Sequence, residues 1–137
     1  MTDFEKFKLA EFKHWELYLH ENQYYLGRSY LWAKRDGDFD FLQMTSEEHD
    51  DFFFAAGKVK DALQKAFLPD RLNYLWLSNT SNHLHCHFIP RYLAKRSILG
   101  KAFVDTNPTG NYAPYDRSFT VDDVVFAEIK KRLLNHL

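Results

Sequence analysis

The spacing of apolar and polar positions divides the chain into short segments with different periods. Phe4, Phe7, Leu9 and Phe12 are placed for one face of a short amphipathic helix over about residues 3–13. From Trp15 the pattern becomes strand-like: Trp15-Glu16-Leu17-Tyr18-Leu19, a polar turn over residues 20–23, then an aromatic-rich run over 24–32, together a β-hairpin. Gly27 within the second run marks a bulge or a close approach to the backbone. Thr45 and Glu48 have the spacing of a capping box, so a helix begins there. Phe52, Ala55, Ala56, Val59, Leu63, Ala66 and Phe67 then recur at helical spacing until Pro69 stops it. Residues 72–77 and 83–89 read as two strands joined by a polar turn over 78–82 and paired antiparallel. Thr120 and Asp123 supply a weaker cap for a last helix carrying Val121, Val124, Val125, Ile129 and Leu133. The order of helix, hairpin, helix, hairpin, loop and helix predicts an α+β fold with a mainly antiparallel sheet of about five strands and flanking helices.

No repeat, low-complexity tract or Gly/Ser-rich linker interrupts this order, which predicts a single domain over residues 1–137. A chain of this length buries roughly two-thirds of the surface its unfolded form exposes, enough for a core without staples. An aromatic content of 18% argues against disorder. With 18 basic and 19 acidic residues, the net charge of −1 supplies no overall attraction for a nucleic acid, and none is expected as a partner. Charge is uneven, however: residues 51–100 hold seven basic and three acidic side chains, so a local anion site belongs there. Cys86 is the lone cysteine and fits a reducing compartment. With a polar, charged start and no run of about eighteen apolar residues, the expected setting is cytoplasmic and away from membranes.

Three of the seven histidines fall at alternate positions in His83-Leu84-His85-Cys86-His87-Phe88-Ile89. On a strand this spacing puts three imidazoles on one face and Leu84, Cys86 and Phe88 on the other. One buried histidine is ordinary, but three in register all need hydrogen-bond partners, which makes a merely structural row costly. Adjacent imidazoles also oppose one another's charging, so the row stays largely neutral and nucleophilic near pH 7. Two chemistries use such a row. Neutral imidazoles bind metals, although between Gln64 and Arg91 the only carboxylate to support them is Asp70. Alternatively, one imidazole nitrogen attacks phosphorus while its neighbours hold the tautomer and donate to phosphoryl oxygens.

The same segment matches, at every position, the His-φ-His-φ-His-φ-φ signature (φ apolar) of the histidine triad (HIT) family of nucleotide hydrolases and transferases. The chain resembles that family over about residues 15–92: residues 26–32 resemble its second hairpin strand, 70–77 its next strand, and Pro90-Arg91 the usual exit. The tail, including Asn111-Tyr112-Ala113-Pro114-Tyr115, resembles a bacterial or archaeal branch described as diadenosine tetraphosphate hydrolase-like. The resemblance implies a HIT-like domain that forms a homodimer. It also implies that His85 is the nucleophile, forming a nucleotidyl-histidine intermediate that water hydrolyses. The substrate it implies is a dinucleoside polyphosphate, nucleoside phosphoramidate or nucleotidyl conjugate, attacked at the α-phosphorus. His83 and His87 orient the nucleophile. In the turn before the motif, Asn79, with Ser81 nearby, takes the place of a polar residue contacting phosphate or leaving group. Asn22 falls where many members carry a ribose-binding Asn or Asp, with His20 as a competing candidate, and Leu19 and Leu31 are candidates to wall a base pocket. No metal is required by the protein itself, while Mg²⁺ accompanies a polyphosphate substrate.

The chain departs from the family pattern in two places. Arg28 stands where many members carry a fourth histidine after a glycine, as a candidate phosphate-facing cation. The loop before the triad lacks the Gly-Gln-Ser/Thr type of sequence found in the phosphoramidase-like and dinucleoside triphosphatase-like branches. Arg91, Lys95, Arg96 and Lys101 follow the motif and are candidates to attract a polyphosphate. The alternatives to a nucleotidyl-transfer enzyme are a metal-dependent hydrolase with histidine ligands and a nucleotide-binding module without turnover.

Overall fold

Alternation along residues 15–19, 29–33 and 84–88 sets the frame of the sheet. The computed structural model describes residues 4–137. Its central sheet contains β1 (Lys8–Glu11), β2 (Trp15–Leu19), β3 (Ser29–Ala33), β4 (Arg71–Leu75) and β5 (His85–Arg91) in the order β1-β2-β3-β5-β4, antiparallel throughout. Trp15, Leu17 and Leu19 of β2, Leu31 and Ala33 of β3, and Cys86 and Phe88 of β5 share one buried cluster with the helices. Helix α1 (Ser46–Phe67) contributes Phe52, Ala55, Val59, Leu63 and Phe67, and α2 (Asp123–Leu134) contributes Val125, Ile129 and Leu133. One face of the sheet is therefore core, as period-two patterning demands. A separate hairpin, β6 (Arg96–Ile98) with β7 (Lys101–Phe103), lies between β5 and α2 in the chain. Among the described residues, no helix is long and apolar enough to cross a membrane.

Helix α1 begins at the predicted capping box: Thr45 Oγ1 accepts from Glu48 N–H and Glu48 Oε1 from Thr45 N–H. It ends with Leu68 in the left-handed region just before Pro69. Other boundaries differ from the sequence expectation. In place of a helix over residues 3–13, of which residue 3 lies outside the described residues, a single 3₁₀ turn (Phe4–Phe7) leads into β1. Pairing with β2 gives that backbone its partners, and burial of Leu9 with edge-on packing of Phe7 against Phe126 uses the apolar positions. Helix α2 starts later than Thr120, because Asp122 accepts from Val125 N–H and caps it.

The second hairpin strand begins only at Ser29; residues 20–28 fold into a loop around the buried Gln23. Its amide donates to the carbonyls of His20 and Arg28 and its Oε1 accepts from Gly27 N–H, so one side chain replaces ladder bonds. Gly27 marks the close approach: φ is +87°, and an added Cβ would stand 2.8 Å from Leu63 Cδ2 and 3.0 Å from Phe67 Cδ2. β5 starts at His85, so His83 precedes it, and it continues through Pro90 to Arg91. β3 pairs only with residues 85–88, so at Pro90 the strand has β4 alone beside it, an edge-like setting that tolerates proline.

Candidate functional site

The second face of the sheet carries the polar chemistry. Arg28, Tyr30 and Trp32 alternate along β3 and its approach, and the register sets Tyr30 opposite His87 and Trp32 opposite His85. His20 joins them by donating its N–H to the Arg28 carbonyl. A cavity of about 670 Å³ opens over this face, lined by His20, Asn22, Arg28, Tyr30, Trp32, Asn79, Ser81, His85 and His87, with Tyr112, Tyr115 and Arg117 reaching it from the chain after β7.

Hydrogen bonds order the three imidazoles. His85 Nδ1 lies 2.7 Å from the His83 carbonyl, which can only accept; Nδ1 therefore carries the proton and Nε2 a lone pair. His87 Nε2 is 3.2 Å from His85 Nε2 and so is the donor of that pair. His83 plays a different part, its Nε2–H donating to the Ala33 carbonyl at 2.6 Å and its ring stacked on Trp32 with centroids 4.1 Å apart. Both contacts hold the segment whose carbonyl fixes the His85 tautomer. Among the described residues, no three His, Cys, Asp or Glu side chains converge as a metal-binding group, and the ring nitrogen His83 would need as a third ligand is turned to Ala33.

Burial, followed by the Arg28 charge, pushes both His20 and His87 down to about 3. Both rings are neutral at pH 7. Their unfolded counterparts titrate near 6.5, so the unfolded chain takes up more protons between pH 6.5 and 3, and this part of the stability is full above 6.5 and lost as pH falls toward 3. Each group adds up to about 1.4 kcal/mol per pH unit to that slope. Urea midpoints measured across the window should fall with acidification, and His87→Asn should make the fall shallower. An equal slope in both proteins would contradict buried neutral His87.

The remaining candidates fall into three groups. Asn79 and Ser81 line the cavity, and Ser81 Oγ accepts from His83 N–H at 3.3 Å, tying the turn to the triad. Asn22 also lines it, but its amide donates to the Asp116 and Arg117 carbonyls and its Oδ1 accepts from Tyr24 N–H. It clasps the 111–117 segment to the β2–β3 loop, which leaves His20 as the ring beside the cavity there. Arg28 is buried in the wall, and the fourth imidazole of the site comes from His20, whose centroid is 5.9 Å from that of His87. Several sequence candidates stand elsewhere. Leu31 is fully buried on the core face and does not line the cavity, and Leu19, also buried, meets only a smaller hollow of about 150 Å³ beside His20, Glu21 and Tyr30. Arg91 is an internal strut, Arg96 is committed to the carbonyls of Phe67, Leu68 and Ala94, and Lys101 lies over Phe119; none of them, nor Lys95, lines the cavity.

Comparison with known proteins agrees on the fold. No family model matches the chain, and no curated protein matches it. Among solved structures, a histidine triad (HIT) protein from Sinorhizobium meliloti 1021 superposes with a TM-score of 0.79 at 17% identity, over 100% of this chain and 96% of that one. A histidine triad protein from Marinobacter aquaeolei VT8 gives 0.71 at 17% identity, covering 98% and 91%. A hypothetical histidine triad nucleotide-binding protein from Sulfolobus tokodaii strain 7 gives 0.61 at 15%, covering 94% and 84%. The chain thus has the α+β fold of histidine triad proteins over its whole length.

Proposed function

We propose that the protein is a nucleotidyl hydrolase or transferase that works through a covalent nucleotidyl-histidine intermediate on His85. The observation that carries the reading is the His85 tautomer: with Nδ1–H held by the His83 carbonyl, the lone pair sits on Nε2 beside the cavity. Nε2 attacks the α-phosphorus, a P–N bond forms, and the bond to the leaving group breaks, its electron pair going to the oxygen of a departing phosphate or to an amine nitrogen that takes a proton from water. As the ring gains positive charge, its Nδ1–H bond to the carbonyl strengthens. His87 Nε2–H, released from the lone pair once that is used, is placed to donate to a phosphoryl oxygen. Water then attacks the same phosphorus, releasing a mononucleotide and restoring the imidazole.

The substrates in view are dinucleoside polyphosphates, nucleoside phosphoramidates and nucleotidyl conjugates. The Sulfolobus relative described as nucleotide-binding supports a nucleotide in the cavity. The mechanism draws on imidazole side chains and one backbone carbonyl, with Mg²⁺ arriving as part of a polyphosphate substrate. A homodimer belongs to the same proposal, and β4, an edge strand with exposed Tyr74, is an available edge for it. The test is intact-mass spectrometry after a rapid acid quench with diadenosine tetraphosphate or adenosine 5′-phosphoramidate, with product analysis in parallel. A nucleotidyl adduct with mononucleotide product is expected; no adduct and no product from either compound would overturn the reading.

A further inference from the structure

Two arginines are buried in this protein, Arg28 and Arg91, and their surroundings are opposite. Arg91 is bonded to the Asp105 carboxylate, Asn73 Oδ1 and the carbonyls of Asn107 and Gly110. Arg28, 4% exposed, has buried Nε and Nη1 atoms with no hydrogen-bond partner, and among the described residues no carboxylate is paired with it. Tyr115 and Tyr112 lie against its guanidinium, 5.2 and 5.7 Å from carbon to ring centroid. A buried guanidinium with unmet donors costs several kcal/mol unless something anionic completes it. The group also lines the cavity, where Glu21 is the one carboxylate among the described lining residues and Arg117 adds a second cation.

Its position in the row says which part of a ligand it meets. On β3, Trp32 lies opposite His85 and Tyr30 opposite His87; Arg28 comes two residues before Tyr30, at the end of the loop that leads into the strand, where its carbonyl accepts from the His20 backbone N–H. Arg28 is therefore displaced from the attacking nitrogen in the direction that runs from His85 past His87. The α-phosphorus bears its nucleoside on one side, so any further phosphate in a substrate belongs to the leaving group. We propose that Arg28, roofed by Tyr112 and Tyr115, forms a second anion subsite that takes a phosphate of the leaving group and makes it a specificity-determining residue. This inference rests on the proposed reaction at His85. Neutral His20 and His87 agree with it, because a polyphosphate departs as an anion and needs no proton, whereas an amine leaving group must be given one.

The experiment compares wild type, Arg28→Met and Arg28→Lys. In steady-state assays the ratio of kcat/KM for diadenosine tetraphosphate to that for adenosine 5′-phosphoramidate should fall at least tenfold in Arg28→Met and less in Arg28→Lys; a ratio unchanged within threefold overturns the subsite. Calorimetric titration with inorganic tripolyphosphate reads the subsite without turnover: binding by wild type should weaken at least tenfold in Arg28→Met, and equal binding overturns it. Should wild type turn over neither nucleotide yet show that Arg28-dependent binding, the reaction at His85 fails and the anion site stands. Thermal unfolding separates both from a structural role. Without anion, Arg28→Met should melt no lower than wild type, since it removes an uncompensated buried charge. A variant melting well below wild type assigns Arg28 to the fold and overturns the proposal.

Discussion

His85→Ala should lose turnover by at least about 10³-fold, while its melting behaviour and its affinity for AMP stay close to those of wild type. The substitution removes the one nitrogen whose lone pair is freed by a backbone hydrogen bond and directed toward the cavity. It leaves the pairing of β5 with β3 and β4 untouched, because those bonds are made by the backbone. His87→Ala should cost less, about 10²-fold, since in the proposed reaction it removes a donor to the phosphoryl oxygens and not the bond-forming atom. His83 contributes through a carbonyl that any residue at 83 would retain, so His83→Ala acts by loosening that carbonyl's anchor at Ala33 and Trp32. The order His85, His87, His83 is the signature to seek in single-turnover kinetics. Comparable rates for wild type and His85→Ala would remove the nucleophile assignment.

The sequence made one side of this site legible and hid the other. Alternation at residues 83–87 revealed the imidazole row because strand periodicity is local, and the same period over Arg28, Tyr30 and Trp32 could have extended that face into β3. The capping box of α1 was legible for a similar reason, since its reciprocal bonds involve residues three apart. The N-terminal strand was not, because four residues with one buried leucine form β1 only through pairing with β2. The roof over Arg28 was hidden by distance: Tyr112 and Tyr115 reach the site through contacts such as Tyr25 Oη–H to the Tyr112 carbonyl, 87 residues away in sequence. The difference between Arg91 and Arg28 was likewise hidden. The sequence offered both as candidate phosphate contacts, and only their partners distinguish the satisfied strut Arg91 from the unmet donor Arg28.

Arg91→Ala should be among the most destabilising single substitutions, at about 3–5 kcal/mol, because it strands the Asp105 carboxylate, 3% exposed, without its counter-charge. The arginine also closes a ring of contacts between strands and loop: Nε and Nη2 donate to Asp105, Nη1 to Asn73 of β4 and to the Gly110 carbonyl, and Nη2 to the Asn107 carbonyl. Replacing both partners, as in Arg91→Met with Asp105→Leu, should recover much of the loss, since no buried charge is then left alone. Urea unfolding of the two single variants and the double variant measures this coupling; an Arg91→Ala protein within about 1 kcal/mol of wild type would show that the pair is dispensable. The consequence reaches the cavity over the second face of the sheet although Arg91 does not line it. Residues 111–117 leave directly from the Gly110 carbonyl that Arg91 holds, and they carry Tyr112 and Tyr115 onto Arg28 and Arg117 into the cavity. A chain with that anchor removed should therefore bind tripolyphosphate more weakly even at temperatures where it remains folded. Loss of affinity in both Arg91→Ala and the double variant, each of which lacks the bond to the Gly110 carbonyl, would locate the effect in the anchoring of the 111–117 segment, whereas affinity retained in the double variant would assign it to the stranded Asp105 charge.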